Sequence, residues 1–188
     1  MNRRNKSLLL GTILGGLAVF IWGTISWTVL PWHMPTLKSF SNEQAVTAVL
    51  KGNAPATGVY VLPNPATPAA SPEEKKQQDA KAEKQWAEGP RALVAYVETG
   101  ASMTPSMIKG LVFDMVAALL LTLLILRSGV TGFTAKTLFI AVIALFASVV
   151  TYVPMWNWWG FASDYTLVSM FDLIIGWIIG GAVIAKVT

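Results

Sequence analysis

The sequence predicts a mainly α membrane protein: a four-helix transmembrane bundle with a small α+β extracytoplasmic domain inserted between spans 1 and 2. Three observations predict it. Of the 188 residues 54% are hydrophobic and only 13% charged, whereas a soluble domain carries roughly a quarter charged residues. The mean hydropathy is +0.54, and the charges cluster so that four long apolar runs lie between them, each near the roughly 20 residues that cross a hydrocarbon core. Lys and Arg gather at one set of run ends and Trp at the other, as the positive-inside rule and the interfacial aromatic belt require.

Residues 1–6 form a cytoplasmic N-terminus with Arg3, Arg4 and Lys6, and residues 7–30 form span 1. A cleaved signal peptide is the other reading of "NRRNK" plus an apolar run. The run is too long for it, and bulky "WTVLPWHMP" follows where a small-residue cleavage site belongs. Residues 31–107 form a periplasmic α+β domain. Within it "SNEQAVTAVLKG" reads as a short helix, with Ser41 and Gln44 as a capping box, Val46, Val49 and Leu50 as its apolar face and Gly52 as its C-terminal cap. "GVYVLP" reads as a strand ended by Pro63, and "NPATPAASP" as an extended Pro/Ala linker. A charged helical insertion spans 71–89, with Ser71 as N-cap, Pro72 in its first turn, Glu74 as capping-box partner and Gly89-Pro90 as its stop. Its plain reading is a solvated arm, and the sharper one a partner-binding arm. "RALVAYVET" reads as a second strand, antiparallel to the first. So small a sheet is marginal alone, and it is expected to pack on the Ser41–Lys51 helix and the membrane face, or on a partner.

Span 2 covers 108–126, the cytoplasmic loop 127–136, span 3 137–155, the periplasmic Trp-rich loop 156–165, span 4 166–185 and the cytoplasmic C-terminus 186–188. With both termini inside, Arg127, Lys136 and Lys186 join the N-terminal cations on the cytoplasmic side, and "WNWWGFASDY" has neither Lys nor Arg. Trp27, Trp32, Trp156, Trp158 and Trp159, with Trp22, mark the outer interface.

The net charge of +4 does not signal nucleic acid: the outer segment 31–109 carries eight basic and seven acidic residues, and no basic stripe with interleaved aromatics occurs. Cysteine is absent, which removes disulfides, thiolate metal sites and catalytic Cys. The partners expected are the lipid bilayer and a membrane-protein partner or a second copy of this chain. No cofactor is expected.

Two acids stand inside apolar runs. Asp114 and Asp172 each follow a Phe, in "FDM" and "FDL", on spans that run the same way, each roughly 8–10 Å below the outer boundary. The matched motif hints at a two-hairpin pseudo-repeat, though chance likeness between apolar helices explains it as well. Intramembrane acids usually face the bundle interior or a wet cavity. Each acid therefore either ties the bundle together by hydrogen bonds, or serves a site for a cation, a proton or a lipid headgroup, or docks another subunit. His33, the one histidine, stands at their level in "PWHMP" and completes a candidate intramembrane polar site with them. With Met34, Met103 and Met107 it has copper-type donors, but no ligand spacing supports a metal, and an interfacial histidine between tryptophans is the plainer reading. Ser26 and Ser169 lie in spans, and nothing in their spacing makes a Ser-His-Asp set with His33. Gly11 and Gly15 in "GTILG", and Gly176 and Gly180 in "GWIIG", are GxxxG packing faces, against each other or against another chain.

"ISWTVLPWHMPTLKSF", "GVYVLPNP", "GPRALVAYVETG" and "MTPSM" together resemble a group of small bacterial inner-membrane proteins with one N-terminal span, an outer domain and three further spans. The resemblance implies this topology and a bacterial source, and it implies no activity. Three functions follow as expectations. The first is a non-catalytic accessory or assembly subunit of a larger bacterial inner-membrane complex. The second is a small oligomeric cation or proton transporter or channel using Asp114 and Asp172, and the third an outer-leaflet lipid-active enzyme using the acids and His33.

Overall fold

The computed structural model describes residues 2–64 and 69–188, so Pro65–Pro68 of the expected Pro/Ala linker lie outside the described residues. In order the elements are α1 (Arg3–Thr28), a 3₁₀ turn (Met34–Thr36), α2 (Glu43–Asn53), β1 (Gly58–Leu62), α3 (Pro72–Glu88), β2 (Ala92–Tyr96), α4 (Met103–Ser128), α5 (Phe133–Trp159) and α6 (Ser163–Val187). They divide into two units. One comprises Met1–Lys38, Ser102–Asn157 and Phe161–Thr188, and the other Ser39–Ala101 with Trp158–Gly160.

In the first unit α1, α4, α5 and α6 have 26, 26, 27 and 25 residues and are long and apolar enough to cross a membrane. At 1.5 Å per residue each is about 38–40 Å long, more than a hydrocarbon core of about 30 Å. The helices outrun the apolar runs because backbone hydrogen bonding continues to a cap. Thus α1 begins at Arg3, where Asn2 Oδ1 accepts from the Asn5 amide at 2.8 Å. α4 runs from Met103 to Ser128, and Gly129, at φ 73°, supplies the left-handed C-cap.

Small residues set the packing. α1 lies between α4 and α6, with Gly11 against Thr122, Gly16 against Met115, and Gly15 against both Ala118 and Ile184. At Gly16 an added Cβ would fall 2.7 Å from Met115 Cα, so the two backbones themselves are in contact there. On α6, Gly180 faces Val19 and the Gly15 carbonyl, while Gly176 lies under the Trp22 indole. The four GxxxG glycines thus sit at helix crossings within the chain, and Gly16 and Gly181, the latter under Ile140, do the same. α5 joins through the buried stripe Ile140, Ala144 and Ser148, and Ala118, Leu121, Ile125, Ile140 and Ile184 form the apolar core.

The polarity of this unit is inverted relative to a water-soluble bundle. Ser26, His33, Thr36, Thr122, Ser148, Thr166 and Ser169 are buried, whereas Leu14, Ile21, Phe113, Leu120, Val142 and Phe146 are exposed. Water would favour the reverse, and lipid favours this one. Thr122 and Ser148 satisfy their hydroxyls within their own helices, on the carbonyls of Ala118 and Leu145.

In the second unit β1 and β2 pair antiparallel from Gly58↔Tyr96 to Leu62↔Ala92, with the Tyr60 and Tyr96 rings edge to face at 6.4 Å. Val49, Leu50 and Ala54 of α2 and its end line a cleft of about 370 Å³ with Tyr60, Val61, Leu62, Ala92 and Val94, so the apolar face of α2 turns to the sheet. The α2 cap departs from the sequence reading. Asn42, one residue past Ser41, is the N-cap, its Oδ1 accepting from the Ala45 amide at 2.9 Å, and the helix runs through Gly52 to Asn53. Asn and Ser are equally good N-caps, so pattern alone does not separate adjacent candidates. α3 follows expectation: Ser71 Oγ accepts from the Glu74 amide at 3.1 Å, and Gly89 at φ 69° ends the helix. The capping-box return goes to the Ala70 amide instead of that of Ser71. Trp86 carries the Arg91 guanidinium 4.7 Å above its ring.

Candidate functional site: a buried histidine–aspartate cluster

The polar heart of the four-helix unit is assembled by the end of α1, the turn that follows it, and the upper half of α6. Trp22 and Ser26 stand one helical turn apart on α1, on one face. Beyond Thr28 the chain folds back, with the amides of Val29 and Leu30 both donating to the Ile25 carbonyl. The 3₁₀ turn then anchors His33: the His33 carbonyl accepts from the Thr36 amide at 3.0 Å and from Thr36 Oγ1 at 2.7 Å. His33 is consequently 2% exposed.

Three tryptophans enclose the cluster. The Trp27 indole stacks on the imidazole at 3.9 Å and 6° between planes, and Trp32 meets it edge-on at 5.7 Å. Trp32 Nε1 donates to Ser26 Oγ at 3.0 Å. Trp22 Nε1 donates to Asp172 Oδ1 at 2.7 Å. Its indole has room because Gly176, one turn below Asp172, has no side chain; a Cβ there would lie 2.8 Å from Trp22 Cδ1.

At the centre, His33 Nε2 is 3.0 Å from Ser26 Oγ and 3.3 Å from Asp172 Oδ2. Sequence spacing held no sign of a Ser-His-Asp grouping, yet the fold brings one together. It is not a relay, because a Ser-His-Asp relay uses one ring nitrogen for the serine and the other for the acid, and here both partners face Nε2. With Asp172 ionised, Nε2 carries the proton and shares it between the two oxygens. The arrangement ties α1, the turn and α6 together through charge-assisted contacts. Tyr152 of α5 lies within electrostatic reach of Asp172 and Tyr165.

Of the predicted polar site, His33 and Asp172 meet and Asp114 stands apart. The residue after Asp114, Met115, abuts Gly16, whereas Asp172 binds Trp22. Along α1 those contacts are six residues apart, about 9 Å of helix axis, so the two acids pack against different levels of α1, although their equal spacing from the span ends suggested one depth. Asp114 is half-buried and makes no hydrogen bond or ion pair among the described residues. Among the predicted interfacial tryptophans, Trp27 and Trp32 wall the histidine, Trp156 Nε1 donates to Ser163 Oγ at 3.0 Å, and Trp158 and Trp159 border a cleft with Val61, Leu62, Trp86 and Arg91. Met34, Met103 and Met107 are exposed, and no group of three His, Cys, Asp or Glu side chains suited to a metal occurs among the described residues.

The cluster members that sequence reasoning missed are Trp22, as an aspartate donor, Ser26 and Thr36. The four-residue spacing of Trp22 and Ser26 was the available signal. The fold-back that delivers His33 to them was not legible. Comparison of the chain with protein-family models, curated proteins and solved structures gave no match.

Proposed function

We propose that this chain is a non-catalytic accessory or assembly subunit of a larger bacterial inner-membrane complex, docking its partner through the Asp114 face of α4. The observation that carries the reading is the contrast between the two intramembrane acids. Asp172 is served by Trp22 and paired with His33, whereas Asp114 makes no hydrogen bond or ion pair among the described residues. An unpaired charge costs about 2.5–3.5 kcal/mol on insertion scales at a bilayer centre, and less at the shallower depth expected of Asp114. A polar or basic side chain from a neighbouring membrane helix removes that cost, which makes Asp114 a docking contact.

The placement proposed with it is N-in and C-in, with the α2–β2 domain in the periplasm. It is supported by the six cations Arg3, Arg4, Lys6, Arg127, Lys136 and Lys186 falling on one side. The transporter reading keeps less support, since the two acids share no contact; an oligomeric pathway would have to use Asp114 alone. The lipid-active enzyme reading is weakened by the crowding of both partners onto His33 Nε2.

The test is gentle detergent extraction of the native-level protein followed by mass spectrometry of what co-elutes. The expected result is a stoichiometric membrane partner with the wild type, lost with Asp114→Leu and kept with the exposed-face control Phe146→Leu. Elution as a lone chain, or a partner that survives Asp114→Leu, would overturn the proposal.

A further inference from the structure

α5 ends on two exposed tryptophans, Trp158 and Trp159. The helix is long and apolar enough to cross a membrane, so its end is where the chain leaves hydrocarbon, and tryptophan favours the headgroup level there. Trp158–Gly160 belong to the second unit. Within it the two indoles border a shallow cleft with Leu62, Ala92, Trp86 and Arg91. The cleft measures about 10 Å³, room for about one water molecule. No metabolite enters it, and whatever it binds has to be presented from outside, at a surface.

Arg91 is the one charged residue lining this cleft. Its guanidinium carbon lies 4.7 Å from the centre of the Trp86 ring. Its Nη2 stands 3.9 Å from the point a Cβ on Gly160 would occupy, beside the residue that follows α5. Arginine carries five N–H donors, and none is used here: Arg91 makes no hydrogen bond or ion pair among the described residues. The acid nearest in sequence, Glu88, pairs with Lys84 at 3.8 Å. A ring contact holds the guanidinium in place without an acceptor. A fork held in this way loses less freedom on binding, and it matches two oxygens of one phosphate.

We infer that Arg91, held on Trp86 beside the end of α5, binds the phosphate of a phospholipid in the bilayer that α5 crosses. Trp158 and Trp159 reach the headgroups next to it, and Leu62, 56% exposed, adds apolar surface. The site goes beyond the subunit reading and rests only on α5 spanning a membrane.

The chain has arginine only at Arg3, Arg4, Arg91 and Arg127. With Arg3→Lys, Arg4→Lys and Arg127→Lys every charge is kept, and an isotope-labelled Cζ of Arg91 becomes a single reporter. The test is solid-state NMR of that full chain in dioleoyl phosphatidylglycerol bilayers, reading dephasing of the Cζ line by lipid phosphorus. Strong dephasing is expected, matching a two-oxygen contact with carbon and phosphorus about 4 Å apart. Bilayers of digalactosyl diacylglycerol, which hold no phosphorus, should show none even with inorganic phosphate added. Adding Arg91→Lys and Lys81→Arg moves the arginine to an exposed position on α3, and the dephasing should be lost. Trp86→Leu should weaken it, and Trp86→Phe, which keeps a ring, should preserve it. No dephasing in phosphatidylglycerol, equal dephasing by free phosphate, or equal dephasing from position 81 would each overturn the inference.

Discussion

His33 Nε2 lies 3.3 Å from Asp172 Oδ2, joining the turn after the first long helix to the middle of the last. The pair is enclosed by indoles on both sides, and Asp172 retains 17% side-chain exposure. Removing one partner of such a pair leaves the other charge with little water, and the penalty for a buried pair is about 3–5 kcal/mol.

His33→Ala is therefore expected to destabilise the bundle by roughly 3 kcal/mol, at the low end of that range because Asp172 is partly exposed. For a chain of this size that is on the order of 6–12 °C in Tm. Thermal unfolding in detergent measures it. The double variant His33→Ala, Asp172→Leu should recover part of the loss. A single variant that melts with the wild type would show that the pair contributes nothing.

The glycines divide into those in contact and those in the open. Gly16→Ala and Gly176→Ala each place a methyl within 2.8 Å of a neighbour, Met115 backbone in one case and Trp22 in the other. Overpacking of this kind costs about 1–3 kcal/mol. Gly23 has nothing within 4 Å, and Gly23→Ala is expected to hold or raise stability through helix propensity. Equal melting of all three would contradict the packing described.

Because the chain has no cysteine, single introduced thiols report topology without background. Ser71→Cys in the small domain is expected to react with a membrane-impermeant maleimide on intact cells. Thr131→Cys, between α4 and α5, should react only after permeabilisation. The reverse pattern would invert the proposed orientation.

Ser71 caps α3 through a 3.1 Å bond to the Glu74 amide. Ser71→Ala should cost about 1 kcal/mol locally. Amide hydrogen exchange would show it as faster exchange in the first turn of α3, with α4–α6 unaffected. Lys75→Ala, which removes an exposed pair with Asp79, should change little, because such pairs are worth about 0–1 kcal/mol.

The four long helices were legible because length and oiliness alone decide what a span needs, and 25 to 27 residues of helix delivered it. The strand pair and α3 were legible through turn and cap chemistry at Pro63, Ser71 and Gly89. The cap of α2 moved from Ser41 to Asn42, since neighbouring residues of equal capping strength differ only in the backbone path that reaches them. The candidate site was half legible. Acids and histidine stand out in apolar sequence, but which of them meet depends on the Met34–Thr36 turn and on helix rotation. Those are set by contacts such as Trp22 over Gly176, made between distant parts of the chain. Gly16 and Gly181 escaped because each directly follows a GxxxG glycine and adds no four-residue spacing of its own.

The backbone contact at Gly16 and Met115 also bears on how this sequence is able to change over time. Lipid does not distinguish Leu from Ile, Val or Phe, so the outward positions are free to drift among them with little effect on shape. At Gly11, Gly15, Gly16, Gly176, Gly180 and Gly181 a single methyl meets a neighbour within 2.8 Å. The heritable description of the bundle is therefore concentrated where side chains are missing, and two chains with very different outer residues can build the same bundle provided these gaps are kept.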